Sequence, residues 1–482
     1  MPLLFFIGAI PRLLGAFLLP NAFGDAYVYI QEIGTLSTKI SNGSFRATDL
    51  FGFWLPLYQL IAALLNVFVR NGFYSGKIIA ALFGAGACLF VYLITQRLTN
   101  NDRAALLIFL LLAFNPLHVT YSASAMTDIP HAFFVVAALY FVLTRNWIFA
   151  ALFGALAGAT RVESWMLIGI LPLIQFVKER RISVAALLIL SAPPLLWFYI
   201  SWKATGNWLA CFVQRQQYHD WLLAMNPAIA HFSLINVLKD TATLLVSSDV
   251  AVLMASFLAA WFLINRVLKR ESPDPILGPL AFFFGFLTLL IAAYLTHQQP
   301  IIFPRYGLIL FALGLPILAW TLLRIREVSP RFARIALIAT IALCGIDATV
   351  QGAGAVGAFN QYRAQRAVAD YLRDHFDGKS TTKIFCDEGT VRVLSGIPED
   401  RFVDSTRAPR DRESFLQFLN AANVDYLIVV ENPRSTPFEL FGPGADGTSI
   451  HNYTRVAGSR TSFIYTAIHV FARSGNPSAV DH

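Results

Sequence analysis

Six polar side chains stand where long apolar runs begin or end. Asp25 opens the run after FG in FGDAYVY, and Asp128 closes YSASAMTDIP. Arg161 and Glu163 sit together in GATRVESW, and His297 and Arg305 bracket HQQPIIFPRY. A seventh, Arg12, lies inside the first apolar run. Ionisable groups in or beside hydrocarbon are costly and usually functional. A carboxylate there can take a proton from an attacking hydroxyl. An arginine fork can hold a phosphate through two parallel hydrogen bonds and stabilise it as it leaves. The pair suits transfer of a group from a phosphate ester to a hydroxyl. One carboxylate suffices, because a phosphate leaves without an acid to protonate it, so the paired carboxylates of glycoside hydrolysis are not expected.

Each residue also has a plainer explanation. Asp25 could be a helix cap or a solvated loop residue, and Asp128 an N-cap favoured by the helix dipole. Arg161 and Glu163 could form an interfacial ion pair, while Arg305 and Arg12 could snorkel to the interface. Only a shared location would distinguish the two accounts, so the question becomes which elements carry these groups.

Of the 482 residues, 56% are hydrophobic and 14% charged, and the mean hydropathy is +0.58. Soluble domains carry roughly 25% charged residues, so a single soluble domain, a disordered chain and a disulfide scaffold are all excluded. Residues 1–350 hold 23 Lys+Arg and 14 Asp+Glu, whereas residues 351–482 hold 14 and 15. The first block suits hydrocarbon and the second suits water. The basic residues lie between apolar runs and form no single stripe, which argues against nucleic acid. Cys88 and Cys344 fall in apolar runs as small packing residues. Cys211 and Cys386 lie in polar segments with nothing to pair them.

A spanning helix needs about 20 mainly apolar residues. Eleven stretches qualify: 3–20, 73–96, 103–121, 129–144, 146–161, 164–177, 182–201, 249–266, 276–296, 304–323 and 331–350. The first has no small-residue cleavage site after it and contains Pro11 and Arg12, so it is taken as a membrane helix rather than a signal peptide. The apolar stretch 54–70 could be a twelfth. If it does not cross, 13 basic residues, from Arg97 to Arg334, gather in the short loops of one side, as cytoplasmic loops require. It is therefore expected to lie along the outer surface, held by its Trp and Tyr. The amino terminus is then cytoplasmic. Loops 21–72 and 202–248, the tail 351–482 and all six marked residues face outward. In the tail, KIFC (383–386) and DYLIVV (425–430) are expected as strands and ESFLQFLNAA (413–422) as a helix. Asp387-Glu388-Gly389 is expected to be a solvated loop. There is no inverted repeat and no low-complexity tract.

Several of these stretches, in this order, resemble the integral-membrane glycosyltransferases of the GT-C class, above all the protein mannosyltransferases and the lipid A aminoarabinose transferases. Asp25-Ala-Tyr-Val-Tyr29 is similar to the family's D-E-x-x-Y in the first outer loop, where the Asp is the catalytic base. Trp54-Leu55-Pro56-Leu57-Tyr58 resembles H/K-P-P-L-Y, and Arg97 to Arg103 resembles the basic turn before the third span. Asp128 falls where the family has an acidic residue in its second outer loop. Ala204-Thr205-Gly206-Asn207-Trp208 is similar to T-G-D/N-P, and Arg305-Tyr306 to the R-Y that opens a late helix. The resemblance covers roughly residues 1–330. Ala26 replaces the usual Glu, and Val28 stands where some relatives place a phosphate-binding Arg. That role passes to Arg305 and Arg161.

The resemblance and the residues together imply an all-α polytopic membrane bundle of the GT-C type, residues 1–350, with about 11 transmembrane helices. A small extracytoplasmic α/β domain, residues 351–482, follows it. The expected activity is inverting transfer of a hexose or pentose from a polyprenyl-phosphate donor to an acceptor hydroxyl on a lipid, glycan or protein, outside the cytoplasmic membrane. Asp25 would be the base, with Arg305 and Arg161 the phosphate ligands. Tyr29, Tyr58, Asp128, Glu163, His297 and Tyr306 would line the substrate pocket. No cofactor is certain; a divalent metal, if there is one, would sit at Asp128. The rival from another class is a transporter or flippase for lipid-linked sugars, with repeat symmetry and mid-membrane charges as its mark. A third is a non-catalytic membrane subunit.

Overall fold

The computed structural model describes residues 1–225, 233–269, 275–296, 298–376, 381–432, 435–442, 449–461 and 466–474. It divides into two compact units. One comprises Met1–Pro20 with Glu32–Ala355, and the other Asn21–Gln31 with Val356–His482.

The first unit is a helical bundle. Its leading helices are α1 (Pro2–Leu18), α2 (Gly24–Ser41, shared with the second unit), α3 (Leu57–Val69) and α4 (Gly72–Thr99). They are followed by α5 (Asp102–Ala113), α6 (Pro116–Ser122), α7 (Asp128–Leu143) and α8 (Trp147–Thr160). Next come α9 (Leu167–Glu179), α10 (Val184–Thr205), α11 (Ala210–Met225) and α12 (Leu234–Ser248). The last four are α13 (Val250–Leu268), α14 (Leu277–Leu295), α15 (Arg305–Val328) and α16 (Pro330–Asn360). Among the described residues six helices are long and apolar enough to cross a bilayer, and α5 with α6 passes the same test as a pair bent by 60°. The remaining apolar helices, α1, α3, α7 and α8, are shorter. This is a multi-pass membrane protein.

Asparagines punctuate the hairpins. Asn71, Asn101, Asn115 and Asn146 each accept a hydrogen bond from a backbone N–H in the first turn that follows, which satisfies one of the donors a helix start leaves open. Lipid provides no hydrophobic drive between helices, so close packing of small residues must hold them together. Helix α4 shows this. Ser75, Gly76, Ala80, Ala81, Gly84, Ala85, Gly86, Ala87 and Cys88 are all buried. A Cβ at Gly84 would stand 2.8 Å from Arg12 Nε and closer still to Ser122 Oγ. Helix α15 is buried on all sides from Gly307 to Thr321.

The break between α5 and α6 follows from Pro116, which has no N–H to give the carbonyl of Leu112 four residues back. Arg12 of α1 serves it instead. Its Nη2 donates to Leu112 O at 3.1 Å and its Nη1 to Ala113 O at 2.9 Å. Nη2 also meets His118 Nδ1 at 2.8 Å, and since a guanidinium only donates, His118 Nδ1 accepts. Arg12 is wholly buried, so it does not snorkel.

Helix α3 has 13 residues, about 20 Å at 1.5 Å per residue. Tyr58 Oη donates to Gly76 O at 3.0 Å, while Asn66 Oδ1 accepts from Ser75 at 3.1 Å. Two positions eight residues apart on α3 thus meet neighbouring residues in the first turns of α4.

In the second unit, α17 (Arg363–His375), α18 (Gly389–Ser395), α19 (Arg412–Ala421) and α20 (Thr436–Phe441) surround a five-stranded sheet. Its strands are β1 (Ile384–Phe385), β2 (Tyr426–Val430), β3 (Ser449–Ile450), β4 (Tyr453–Thr461) and β5 (Thr466–Arg473), in the order β1-β2-β5-β4-β3. Strands β1 and β2 are parallel and the other pairs antiparallel. Along β2, Tyr426, Ile428 and Val430 share a core with Ala364, Val368 and Leu372 of α17. Leu427 and Val429 pack against Phe415 and Leu419 of α19. Burial on both faces explains the unbroken apolar run.

Candidate active site

Helix α8 ends at Arg161, whose extended backbone (φ −147°, ψ 140°) turns the chain into a short 3-10 segment, Val162–Met166. Glu163 thereby lies beside Arg161, and Asp128, first residue of α7, faces it from the other arm of the hairpin. Arg161 Nη1 bonds Asp128 Oδ1 at 2.8 Å and Nη2 bonds Glu163 Oε1 at 2.7 Å. The Arg161 and Asp128 side chains are 16% and 5% exposed. Asp128 is thus no simple cap: Thr127 holds the N-cap position, and Asp128 gives one oxygen to Arg161. Its Oδ2 is buried with no hydrogen-bond partner. Burial disfavours the Glu163 carboxylate, but the adjacent Arg161 cation outweighs burial and holds the carboxyl well below its ordinary range.

These three residues line a cavity of about 100 Å³ together with His131, Phe286, Leu289, Leu290, Ala293, Gln299, Arg305, Tyr306, Leu308 and Ile309. It lies where α7 and α15 begin and where α8 and α14 end. Arg305, first residue of α15, has its guanidinium carbon 5.0 Å from the Phe303 ring centre and 5.6 Å from that of Tyr306. One wall is cationic and acidic, the other hydrocarbon. The four charged groups balance, two arginines against two carboxylates.

Of the residues marked in the sequence, Asp128, Arg161, Glu163, Arg305 and Tyr306 come together here. Tyr58 does not line the cavity; it is fully buried between α3 and α4. His297 lies outside the described residues. Asp25 and Tyr29 belong to the second unit, where Tyr29 is buried. Among the described residues no group of three or more His, Cys, Asp or Glu could hold a metal ion.

Two contributors escaped the sequence. His131 lies three residues beyond Asp128 on α7, hence on the same helix face. It bonds Ser164 Oγ at 2.7 Å and meets the Phe286 ring edge to face. The i, i+3 spacing was the available signal. Asp240 of α12 is buried; its Oδ1 accepts from Ile302 N at 3.2 Å and its Oδ2 from Tyr294 Oη at 2.9 Å. It pins both ends of the connection that presents Gln299 and Arg305. Nothing near Asp240 in the chain announces that partnership.

Comparison with solved structures places this arrangement. The chain superposes on ArnT from Cupriavidus metallidurans bound to undecaprenyl phosphate with a TM-score of 0.58, at 12% identity over 97% of each chain. The apo form of that protein gives 0.53, at 13% identity and 97% of each chain. The chain has the GT-C fold. Residues 67–156 also match the family dolichyl-phosphate-mannose-protein mannosyltransferase. No curated protein matches by sequence. The matched stretch runs from the end of α3 to α8, so the part of the GT-C fold that carries Asp128 is the part with a sequence signature.

Proposed function

We propose that the protein is an inverting glycosyltransferase that takes its sugar from a polyprenyl phosphate. The observation that carries this is the cavity. Arg305 and the Arg161–Asp128–Glu163 group meet an apolar wall of Phe286, Leu289, Leu290 and Ile309, which suits a phosphate attached to a hydrocarbon chain. The mannosyltransferase match of residues 67–156 and the likeness to an undecaprenyl-phosphate-bound protein support it. The cavity end of the bundle would face away from the cytoplasm, as the basic loops suggest.

In this mechanism Asp25 accepts the proton of the acceptor hydroxyl as its oxygen attacks the anomeric carbon. The bond from that carbon to the phosphate oxygen breaks with inversion, and the electron pair leaves on the lipid phosphate. Arg305 stabilises the departing charge. Arg161, already held by two carboxylates, supports it as a fixed neighbouring cation. Asp128 and the Tyr306 hydroxyl, both in the cavity lining, orient the sugar.

The test uses two lipid-linked donors, undecaprenyl-phosphate mannose and undecaprenyl-phosphate aminoarabinose, with release of undecaprenyl phosphate as the readout. Asp25→Asn should lower turnover by about 1000-fold or more, within the range of general-base loss. Binding of undecaprenyl phosphate should be unchanged. Near-normal turnover by that variant removes Asp25 from the chemistry. Failure of the wild-type protein to consume either donor removes both sugars from consideration.

A further inference from the structure

The segment carrying Asp25 lies between α1 and the rest of the bundle in sequence, yet residues Asn21–Gln31 form one compact unit with the tail, Val356–His482. The contacts that make this so are specific. Gln361 Nε2 donates to the carbonyl of Ala22. The Tyr362 ring meets that of Tyr27 at 5.3 Å and 67°. The N–H of Gly24 bonds the Tyr362 hydroxyl, and the Asp25 and Glu388 carboxylates stand close enough to disfavour its ionisation, adding to burial. Tyr27 is 1% exposed. Two consecutive residues, just after α16 ends at Asn360, thus grip both sides of Asp25: Gln361 at Ala22, and Tyr362 at Gly24 and Tyr27.

We propose that the tail domain sets the position of the catalytic base, with Tyr362 as the positioning residue and Gln361 as its second hold. The inference rests on the assignment of Asp25 as base and deepens it. It gives the soluble domain a part in turnover, which neither its composition nor its fold discloses. A base must reach its proton within hydrogen-bonding distance, and displacement of about 1 Å can cost up to roughly 100-fold in rate. The first turn of a helix, where Asp25 stands, frays readily unless something holds it. Here the hold is made by an edge-to-face ring contact, a hydroxyl and an amide, all on one short stretch.

Gly24 provides the test. It opens α2, and no positive φ requires a glycine there, so alanine would ordinarily favour the helix. Yet a Cβ at Gly24 would stand 2.7 Å from the Tyr362 hydroxyl and 3.6 Å from the ring carbon that bears it. Gly24→Ala must therefore push Tyr362 away, and removing the hydroxyl must relieve it. Full-length protein in lipid nanodiscs, assayed with the two undecaprenyl-phosphate sugars above, should show four results. Tyr362→Ala lowers kcat by about 10- to 100-fold with the donor KM unchanged. Tyr362→Phe, which keeps the ring, costs less than about threefold. Gly24→Ala falls by about tenfold, and Gly24→Ala with Tyr362→Phe recovers most of the loss.

Hydrogen exchange provides the arm that needs no substrate. In Tyr362→Ala the amides of residues 24–28 should exchange at least about tenfold faster, with those of α4 and α7 unaltered. Unchanged exchange in residues 24–28 overturns the inference, as does faster exchange with normal kcat. Equal losses in Gly24→Ala and in the double variant overturn it too. Normal turnover in Asp25→Asn is a different failure: it removes the base assignment itself, and none of the Tyr362 variants can imitate it.

Discussion

Two arginines of this bundle stand beside helix ends, Arg12 wholly buried and Arg161 partly so, and their partners differ in kind. Arg12 is surrounded by backbone. It donates to the carbonyls of Gly8, Leu112 and Ala113 and to His118 Nδ1, so its charge completes a helix that Pro116 interrupts. Arg161 is surrounded by side chains. It pairs with Asp128 and Glu163 at the wall of a cavity that also holds Arg305. The first arrangement repairs backbone hydrogen bonding in a fully buried place, with only Nε lacking a partner. The second places Asp128, whose Oδ2 is buried without a hydrogen-bond partner, in the wall of a cavity. Burial of a cation in a membrane protein is therefore not itself a mark of function; the chemical type of its partners is.

The difference can be forced into the open by substitution. Arg161→Met leaves two carboxylates without their cation and should cost about 3–5 kcal/mol of stability, the usual penalty for breaking a buried pair from one side. Thermal melting in detergent should show the drop, and transfer should be lost in the protein that remains folded. Arg12→Met strands chiefly Ala113 O and His118 Nδ1, since Leu112 O keeps the N–H of Asn115, and should cost about 2–3 kcal/mol, at 1–3 kcal/mol for each stranded group less some local relaxation. Here transfer per folded molecule should stay near normal. If Arg12→Met loses activity beyond its loss of folded protein, the distinction between the two arginines fails.

Glu163 sharpens the comparison through pH. Its folded carboxyl is held below the ordinary value, about 4.3 in the unfolded chain, so its contribution to stability is complete above that value. It diminishes as the pH falls below about 4.3 toward the depressed folded value. Melting curves of wild type and Glu163→Gln should differ at pH 7 and converge as the pH is lowered through this range. A constant difference would mean that Arg161 does not discriminate the charged form. The smallest effect is expected at Asp240→Asn, which keeps one acceptor for Ile302 or Tyr294 and weakens the other. It should cost about 1 kcal/mol and loosen undecaprenyl phosphate binding about fivefold by freeing the connection before Arg305.

Legibility followed the range of the interactions. The positions of Asp128, Arg161, Glu163 and Arg305 at one end were readable because helix boundaries are local, set by apolar length and by residues such as Pro130 and Pro304. The α/β character of the tail was readable from three segments, now β1, β2 and α19. Strands β3–β5 were not, since YTRVAGSRT mixes polar residues and glycine with its few apolar ones. The break at Pro116 fell inside an apparently continuous span because hydropathy averages over it. The partners of Arg12, Asp240 and Tyr362 lie 100, 62 and 338 residues away along the chain in the cases of Leu112, Ile302 and Gly24. Pairings at that distance leave no periodicity to detect.

The mounting of Arg305 has a consequence for how such a protein could diversify. The cation begins a helix enclosed by its neighbours from Gly307 to Thr321, so its coordinates are inherited from the whole bundle. The opposite wall, Phe286, Leu289, Leu290 and Ala293, belongs to α14, which also shows Ile291 and Leu295 to the outside. On the proposed reading, substitutions along α14 would retune the apolar wall for a different lipid carrier without moving Arg305.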